Sequence, residues 1–330
     1  MDVIWQTKFG RFTEFELQSI SEVTLKDCEC AHYFDENRYQ KTADNPLIVF
    51  STDIHHHAPQ ELLSYLEKFD VFKLFHIECE RLDHDASYYK RASVVLRSYY
   101  DPRLPTDNTY FLPLGFQSGF LNPAPGSLSA RRDFVWCFAG QVKSHRARML
   151  AAFRGLGPHF VHITKTWADP NGLNVDQMKQ IYSSSMFALC PFGNRNPDSY
   201  RLMEALEWGC IPVTLTFLGG EDYFRYIYGD HPFIVAQSWQ DACEQVKELL
   251  QNPDELLRRQ HAAMQWYQTF KADLAEDVSQ ILSQPKHSRT LKSRQFSYQA
   301  QGQSRFIRTL YDLYYGRGAL RRLYRWFVSL

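Results

Sequence analysis

The chain has 330 residues, 44% hydrophobic and 22% charged, and its 37 basic residues balance 37 acidic ones. That length exceeds one ordinary core and fits two α/β domains of roughly 130 to 150 residues each. The composition excludes a disordered chain, and zero net charge argues against a general nucleic-acid binder, whose phosphate contacts need an excess of Lys and Arg.

Leu47-Ile48-Val49-Phe50 is a short apolar run, Pro59 to Phe69 has helical spacing, and Val71 to Ile77 is apolar again, which is a βαβ rhythm. Ala92 to Leu96 and Tyr110 to Leu114 read as two further buried strands, so a parallel sheet is expected. Gln117 to Arg132 is rich in Gly, Pro and Ser and marks a domain boundary at 125. The rhythm then restarts with strand Phe134 to Phe138, a turn at Gly140, a helix from Ser144 to about Leu156 and strand Phe160 to Ile163. Helix Val175 to Ser183, strand Phe187 to Leu189, helix Pro197 to Trp208 and strand Ile211 to Leu215 follow. Strand Phe233 to Val235 and helix Ser238 to Leu250 complete a second doubly wound domain, taken to end at 283. Residues 284–330 form a separate tail with ten basic residues and the single acid Asp312.

The start, Met1-Asp2-Val3-Ile4-Trp5-Gln6, has neither a basic nor an apolar leader, and no 18-residue apolar run occurs, so a cytoplasmic location is expected. Seven scattered cysteines are then expected to be mostly buried thiols. Cys28-x-Cys30 lacks the second pair that a zinc site wants.

The segment from Phe187 to Val213 carries the chemistry. Asn196 suits an N-cap, Pro197 a first helical residue and Gly209 a C-terminal cap. Leu202, Ala205 and Leu206 can face the sheet, leaving Tyr200, Arg201 and Glu204 on other faces of the helix. A helix N-terminus after a glycine-containing loop attracts an anion such as a pyrophosphate. Arg201 can add a bidentate phosphate contact, and Glu204 can accept hydrogen bonds from ribose hydroxyls. The bland alternative is a solvated Arg201–Glu204 ion pair on a surface helix, worth ~0.3 kcal/mol.

The block Cys190-Pro191-Phe192-Gly193, then Ser199-Tyr200-Arg201-x-x-Glu204-Ala205-x-x-x-Gly209-Cys210-Ile211-Pro212-Val213, resembles the donor-binding domain of exostosin-type glycosyltransferases and xylosyltransferase-like relatives. Phe138-Ala139-Gly140-Gln141 with His145-Arg146-x-Arg148 is similar to the family's first strand, glycine turn and basic helix start. A weaker likeness to the acceptor-side lobe runs from Phe75 to Arg81, Val94 to Tyr100 and Leu112 to Gly115. The resemblance implies an α/β fold of two facing Rossmann-like domains, the GT-B type, comprising residues 1–125 and 126–283 with a helical tail from 284. It further implies transfer from a nucleotide diphosphate sugar, UDP-linked by family likeness, to a glycan or lipid-linked acceptor, with inversion and without metal or other cofactor. Gly140, Arg146, Arg148, Pro191, Gly193, Asn194, Ser199, Tyr200, Arg201 and Glu204 would hold the donor.

Gly193-Asn194-Arg195 stands where many retaining enzymes of this fold carry a first glutamate, which favours inversion. Relatives often carry Asp-Glu where this chain has Cys79-Glu80, leaving Glu80 as the nearest match for a base beside Asp53 and His55. Trp167, Tyr182 and Tyr200 are candidates to stack on base or sugar rings. In the tail, Phe306, Leu310, Leu313 and Tyr314 recur at helical spacing beside basic residues. Residues 305–330 therefore read either as a peripheral anchor on an anionic membrane or as a helix packed on the lobes. Two other functions stay open: a binding module without turnover, and a metal-dependent hydrolase using Asp53 with His55, His56 and His57.

Overall fold

The structure, a computed structural model, describes residues 1–6, 13–34, 39, 44–51, 60–77, 85–104, 107–124, 132–143, 146–166, 169–283 and 305–315. Contacts divide these into two compact units, the first holding 1–114, 225–229 and the residues from 271 onward, the second 115–224 and 230–270. This division falls after Leu114, whereas the turn-rich stretch suggests 125.

The first unit is built on β1 (Asp2–Trp5), β2 (Ala31–Tyr33), β3 (Leu47–Ser51), β4 (Lys73–Ile77), β5 (Val94–Ser98) and β6 (Thr109–Leu112), in the order β2-β1-β3-β4-β5-β6. Every pairing is parallel. Strands β3, β4 and β5 are buried throughout, as central strands of a parallel sheet covered on both faces are, and besides their apolar residues β4 and β5 bury Lys73, His76, Arg97 and Ser98. Helices α1 (Thr13–Ser19) and α2 (Gln60–Leu66) belong to this unit, and Leu62 and Leu66 of α2 pack on Ile4, Ile48, Phe50 and Leu74. Each such leucine, wholly out of water, contributes about 2 kcal/mol by transfer alone.

The second unit has β7 (Phe134–Gln141), β8 (His159–Thr164), β9 (Ser185–Leu189), β10 (Ile211–Leu215) and β11 (Ile234–Ala236) in the order β11-β10-β9-β7-β8, again wholly parallel. Helices α3 (Arg146–Phe153), α4 (Val175–Ser183), α5 (Tyr200–Glu207) and α7 (Trp239–Leu250) lie between or after these strands, and the short α6 (Arg225–Tyr228) returns to the first unit. Start signals account for two of them: Asn174 and Gln177 form a reciprocal capping box on α4, and the Ser238 hydroxyl accepts from the Asp241 amide on α7.

Elements not anticipated include α1, β2, α6 and, above all, β1 and α8. Strand β1 holds only four residues, too few for a period to show. Helix α8 (Pro253–Ser283) runs for 31 residues, the first part in the second unit and the part from Lys271 in the first. Its signals were present: Pro253 opens it, Asp254 and Glu255 follow, and buried Leu256, Gln260, Ala263, Tyr267, Phe270 and Leu274 repeat at helical spacing.

In the tail, α9 (Arg305–Tyr315) forms at the expected position and buries Ile307, Tyr311 and Tyr315. Within the first unit its Asp312 lies 3.3 Å from the Arg103 guanidinium, which also sits over the Tyr315 ring. The face turned inward is thus Ile307, Tyr311 and Tyr315, not the stripe of Phe306, Leu310, Leu313 and Tyr314 read from the spacing: Phe306 stays 64% exposed and the other three are half-buried. Residues 316–330 lie outside the described set.

Candidate functional site

In the second sheet the chain steps from β7 to β8 on one side, then to β9, β10 and β11 on the other. A parallel sheet that reverses direction leaves a crevice at the carboxyl ends of the two strands flanking the reversal. Here those strands are β7 and β9, and the two motifs singled out in the sequence follow them.

Strand β7 continues through Gly140, pairing Gly140 with Ile163 and Gln141 with Thr164, where a turn was expected. Gly140 adopts φ +142°, and a Cβ there would stand 2.3 Å from Nη2 of Arg201. The missing side chain therefore makes room for a guanidinium from a helix some 60 residues further along. Arg201 Nε donates to the Ala139 carbonyl at 3.0 Å, and the guanidinium carbon lies 5.5 Å from the centre of the Phe138 ring. Among the described residues its two terminal nitrogens meet no protein acceptor. One hydrogen bond fixes the group, leaving a planar cationic fork over the end of β7.

Helix α5 begins at Tyr200 with Ser199 as N-cap, three residues later than Asn196 and Pro197 had suggested. The reason is local: the Gly193 amide donates to the Asn196 carbonyl at 2.8 Å, so Asn196 is spent on a turn in the loop. Ser199 has extended backbone, but its hydroxyl makes no capping bond and, though only 6% exposed, has no hydrogen-bond partner among the described residues. Buried hydroxyls seldom go unpaired, so this one marks a place for a further acceptor or donor. At the other end Gly209 takes φ +75°, and the Cys210 amide reaches back to the Ala205 carbonyl at 2.9 Å, closing the helix as expected.

Of the residues expected to point away from the sheet on α5, Tyr200 and Arg201 are half-buried and Glu204 is buried. Glu204 is 7% exposed, accepts a hydrogen bond from the Gln117 amide and lies 3.4 Å from the Tyr182 hydroxyl. Loss of hydration pushes its carboxyl up to about 7, against the pull of Arg201 and of these two hydrogen bonds. The Tyr182 phenol is itself pushed well up, by burial first and by Glu204 next. No ion pair joins Arg201 to Glu204 among the described residues, which removes the solvated-pair reading.

Glu207, a turn further on and wholly buried, accepts from the Asn122 amide at 3.2 Å and from the Tyr267 hydroxyl at 3.1 Å. Arg132 fastens the far ends of two helices. Its terminal nitrogens donate to the carbonyls of Tyr182 (3.3 Å) and Ser183 in the last turn of α4, and to those of Trp208 (3.1 Å) and Gly209 (3.4 Å) just after α5. Glu207 and Arg132 lay outside the sequence reading; a buried charge leaves no periodic trace.

Arg146 is also committed to the protein, donating to the Gln141 carbonyl at 3.0 Å and the Phe192 carbonyl at 2.7 Å. It ties the Pro191–Gly193 loop to the end of β7 and positions Phe192 edge-on to Phe217, ring centres 5.6 Å apart. Arg148 is exposed on α3, Pro191 is buried, and Asn194 is exposed at the loop tip. Tyr200 is half-buried at the first position of α5. The ten expected donor-side residues therefore lie on β7, α3, the loop after β9 and the first turns of α5.

The first sheet reverses between β1 and β3. At those carboxyl ends stand Gln6, 0% exposed with neither amide atom bonded, and Ser51, 1% exposed with an unpartnered hydroxyl. Continuing the register Trp5↔Val49 by one residue places Gln6 beside Phe50; Phe50 pairs with His76 and His76 with Arg97, all buried. The His76 ring stacks on Phe50 at 4.5 Å. The Tyr89 hydroxyl, which accepts from Arg97, lies 2.5 Å from His76 Nδ1. Asp53, His55 and Glu80 lie outside the described residues, as does Trp167. Among the described residues no group of three His, Cys, Asp or Glu is arranged to hold a metal ion, and no helix is long and apolar enough to cross a membrane.

A sequence model of the RXYLT1 C-terminal domain matches residues 120–286, just over half of the chain. The chain belongs to this family. The family is exostosin-like and xylosyltransferase-related, so the chain is a glycosyltransferase by class, and its two parallel sheets with flanking helices are of the GT-B type. No curated protein sequence matches it. Among solved structures, an Anabaena protein, Alr3699/HepE, in complex with UDP and glucose, is similar with a TM-score of 0.50 at 9% identity, over 86% of this chain and 99% of that one. A T4 phage enzyme, BGT, with UDP and Mn2+ gives 0.46 at 12% identity over 86% and 100%. An alpha1,3-fucosyltransferase with GDP gives 0.47 at 11% identity over 97% and 92%. At these identities the likeness concerns the fold alone.

Proposed function

We propose that the chain moves a sugar from a nucleotide diphosphate donor, UDP-linked, to a hydroxyl of a glycan or lipid-linked acceptor, with inversion and without a bound metal. The observation that carries this reading is the fork of Arg201, held over the end of β7 by the absent side chain of Gly140. Beside it are the unpartnered Ser199 hydroxyl and the first amides of α5. A diphosphate fits such a set: the helix N-terminus and the guanidinium both meet negative charge, and a hydroxyl fills the remaining valence. Glu204, one turn deeper, is the acceptor for ribose hydroxyls.

In the reaction the acceptor oxygen forms a bond to the anomeric carbon while the bond from that carbon to the diphosphate oxygen breaks on the opposite side. The acceptor's proton goes to a base, sought among Glu80, Asp53 and His55. The charge gathering on the departing diphosphate is met by Arg201, whose role is electrostatic and which stands in for a metal ion. Buried, neutral and unpaired groups at the reversal of the first sheet, Gln6 and Ser51, suit the hydroxyls of a sugar acceptor. The basic tail, through residues 316–330, is the segment proposed to meet an anionic membrane, since α9 commits Ile307, Tyr311 and Tyr315 to the first unit.

Thermal stabilisation by a panel of nucleotides and nucleotide sugars, with and without EDTA, tests the reading. A rise in Tm with a UDP-sugar, unchanged by EDTA, is expected. No shift with any member overturns the donor site, and a shift abolished by EDTA overturns metal independence.

A further inference from the structure

Glu204, Glu207 and Trp208 are spaced three and four apart at the end of α5, so they share one side of the helix. Along that side runs the opening segment of the second unit, residues 117–124. The Trp208 indole Nε1 donates to the Phe120 carbonyl at 2.9 Å. The Asn122 amide donates to the Glu207 carboxyl at 3.2 Å, and Asn122 Nδ2 donates to the Glu207 carbonyl at 3.1 Å. The segment is also folded on itself: the Phe120 amide donates to the Gln117 carbonyl at 3.1 Å, and the Ala124 amide to Asn122 Oδ1 at 3.0 Å. Its other flank meets α4. A Cβ on Gly119, at φ +98°, would stand 3.2 Å from Cγ1 of Val175, and the Phe120 ring centre lies 6.2 Å from that of Tyr182.

Tyr182 is the residue whose hydroxyl lies 3.4 Å from Glu204 Oε2, so the segment packs against a group that holds the carboxyl of the nucleotide site. Phe120, Asn122 and Glu207 are all buried. Glu207 uses both carboxyl oxygens inside the protein, one on Asn122 and the other on the Tyr267 hydroxyl of α8 at 3.1 Å. A buried acid costs free energy that an apolar residue at the same place would not. Resting on the nucleotide reading of Glu204, we propose that Glu207 is a positioning residue: by clamping Asn122 it holds the 117–122 segment against Tyr182, and so fixes the Glu204 carboxyl in the orientation that receives the ribose hydroxyls of the donor.

The terminal torsion of a glutamate is broad, so a carboxyl needs more than one contact to keep its oxygens aimed. Tyr182 supplies one, and the docked segment supplies another through the Gln117 amide. Hydrogen bonds weaken steeply once their angle or length is lost, so a carboxyl that turns no longer meets two hydroxyls at once. Releasing the segment at Asn122 loosens both contacts together. Arg201, fixed on the Ala139 carbonyl, is untouched by that change. The diphosphate is then still held, and the ribose is no longer read.

Titration calorimetry of the full chain with UDP, 2′-deoxy-UDP and 3′-deoxy-UDP tests this, with circular dichroism as the control for folding. Wild type should prefer UDP to the weaker-bound analogue about tenfold or more, as the loss of a hydrogen bond to a charged group requires. Glu207→Ala should bring that ratio to within about threefold, chiefly by weakening UDP. Glu207→Gln keeps an acceptor for the Asn122 amide and should stay within about twofold of the wild-type ratio. Trp208→Phe takes only the indole N–H from the Phe120 carbonyl at a half-buried position, and should lower the ratio about twofold to fivefold even where Glu207→Ala fails to fold. A loss of folded protein weakens all three nucleotides alike and leaves their ratio unchanged. The wild-type ratio in every folded variant therefore overturns the proposal and leaves the donor site standing. A wild type that binds UDP without distinguishing the analogues overturns the Glu204 contact and the positioning with it, and a wild type that binds none of the three overturns the donor site itself.

Discussion

Glu204→Gln separates the two demands on the most perturbed group of the site. In the folded chain the Glu204 carboxyl titrates at about 7, against 4.5 for the free side chain, because the protein withholds water and supplies only the Gln117 amide, the Tyr182 hydroxyl and a distant Arg201 in return. A raised carboxyl makes the folded state bind more protons than the unfolded one between these two values, so its contribution to stability falls as pH rises through that window. The full deficit above pH 7 is about 3 kcal/mol, and most of it, about 2–3 kcal/mol, develops between pH 5 and pH 8. Glutamine has the same shape, keeps an acceptor for the Gln117 amide and never ionises. Denaturant unfolding of both proteins at pH 5 and pH 8 should show the variant gaining about 2–3 kcal/mol over wild type between the two pH values. Nucleotide binding should move the other way. Ribose hydroxyls donate to the ionised form, so wild-type affinity should fall up to about tenfold per pH unit below 7, and the variant should bind weakly at every pH. A stability difference that stays constant from pH 5 to pH 8 refutes the assignment of this carboxyl; a pH-independent wild-type affinity refutes its contact with the donor.

Gly140→Ala places a Cβ 2.3 Å from the Arg201 guanidinium at a φ of +142°, so it should cost about 1–3 kcal/mol in stability and lower nucleotide affinity tenfold or more, read by melting and titration calorimetry. Ser199→Ala removes a hydroxyl with no partner in the folded chain; stability should be unchanged or slightly higher while nucleotide affinity drops about fivefold to tenfold. Arg132→Ala strips the carbonyls at the ends of α4 and α5 of their donors and should cost about 2–4 kcal/mol of unfolding free energy while leaving the affinity of the remaining folded protein near wild type.

Much of the fold was legible because βα units write themselves in two periods. Residues Val175–Ser183 and Ile211–Leu215 fall where the apolar spacing and the caps place them. What stayed hidden has a common cause, a dependence on contacts distant in sequence. Strand β1 is short and earns its place by pairing with β2 and β3 on either side. The start of α5 moved because Asn196 had a closer use in its own loop. Glu204 reads as surface on a helical wheel, yet it is covered by Tyr182 of α4 and the Gln117 amide, neither of which the spacing within α5 can announce.

The site itself shows why a pair of motifs is more informative than either one. Read alone, Gly140 is a glycine after a strand and Arg201 a basic residue on a helix, each with an ordinary explanation. In the fold the reversal of strand order between β7 and β9 brings them to one crevice, and the glycine's φ and the arginine's position each account for the other. An alanine at 140 would be strained by the φ of +142° and would also have to displace the guanidinium that lies on the strand. The same logic orders the polar groups around it. Arg146 and Arg132 end on backbone carbonyls and hold elements in place, whereas the terminal nitrogens of Arg201 and the hydroxyl of Ser199 meet no partner among the described residues. Groups held in place without a partner of their own are the ones a ligand completes, and here they are a cation, a hydroxyl and a helix N-terminus, the complement of a diphosphate.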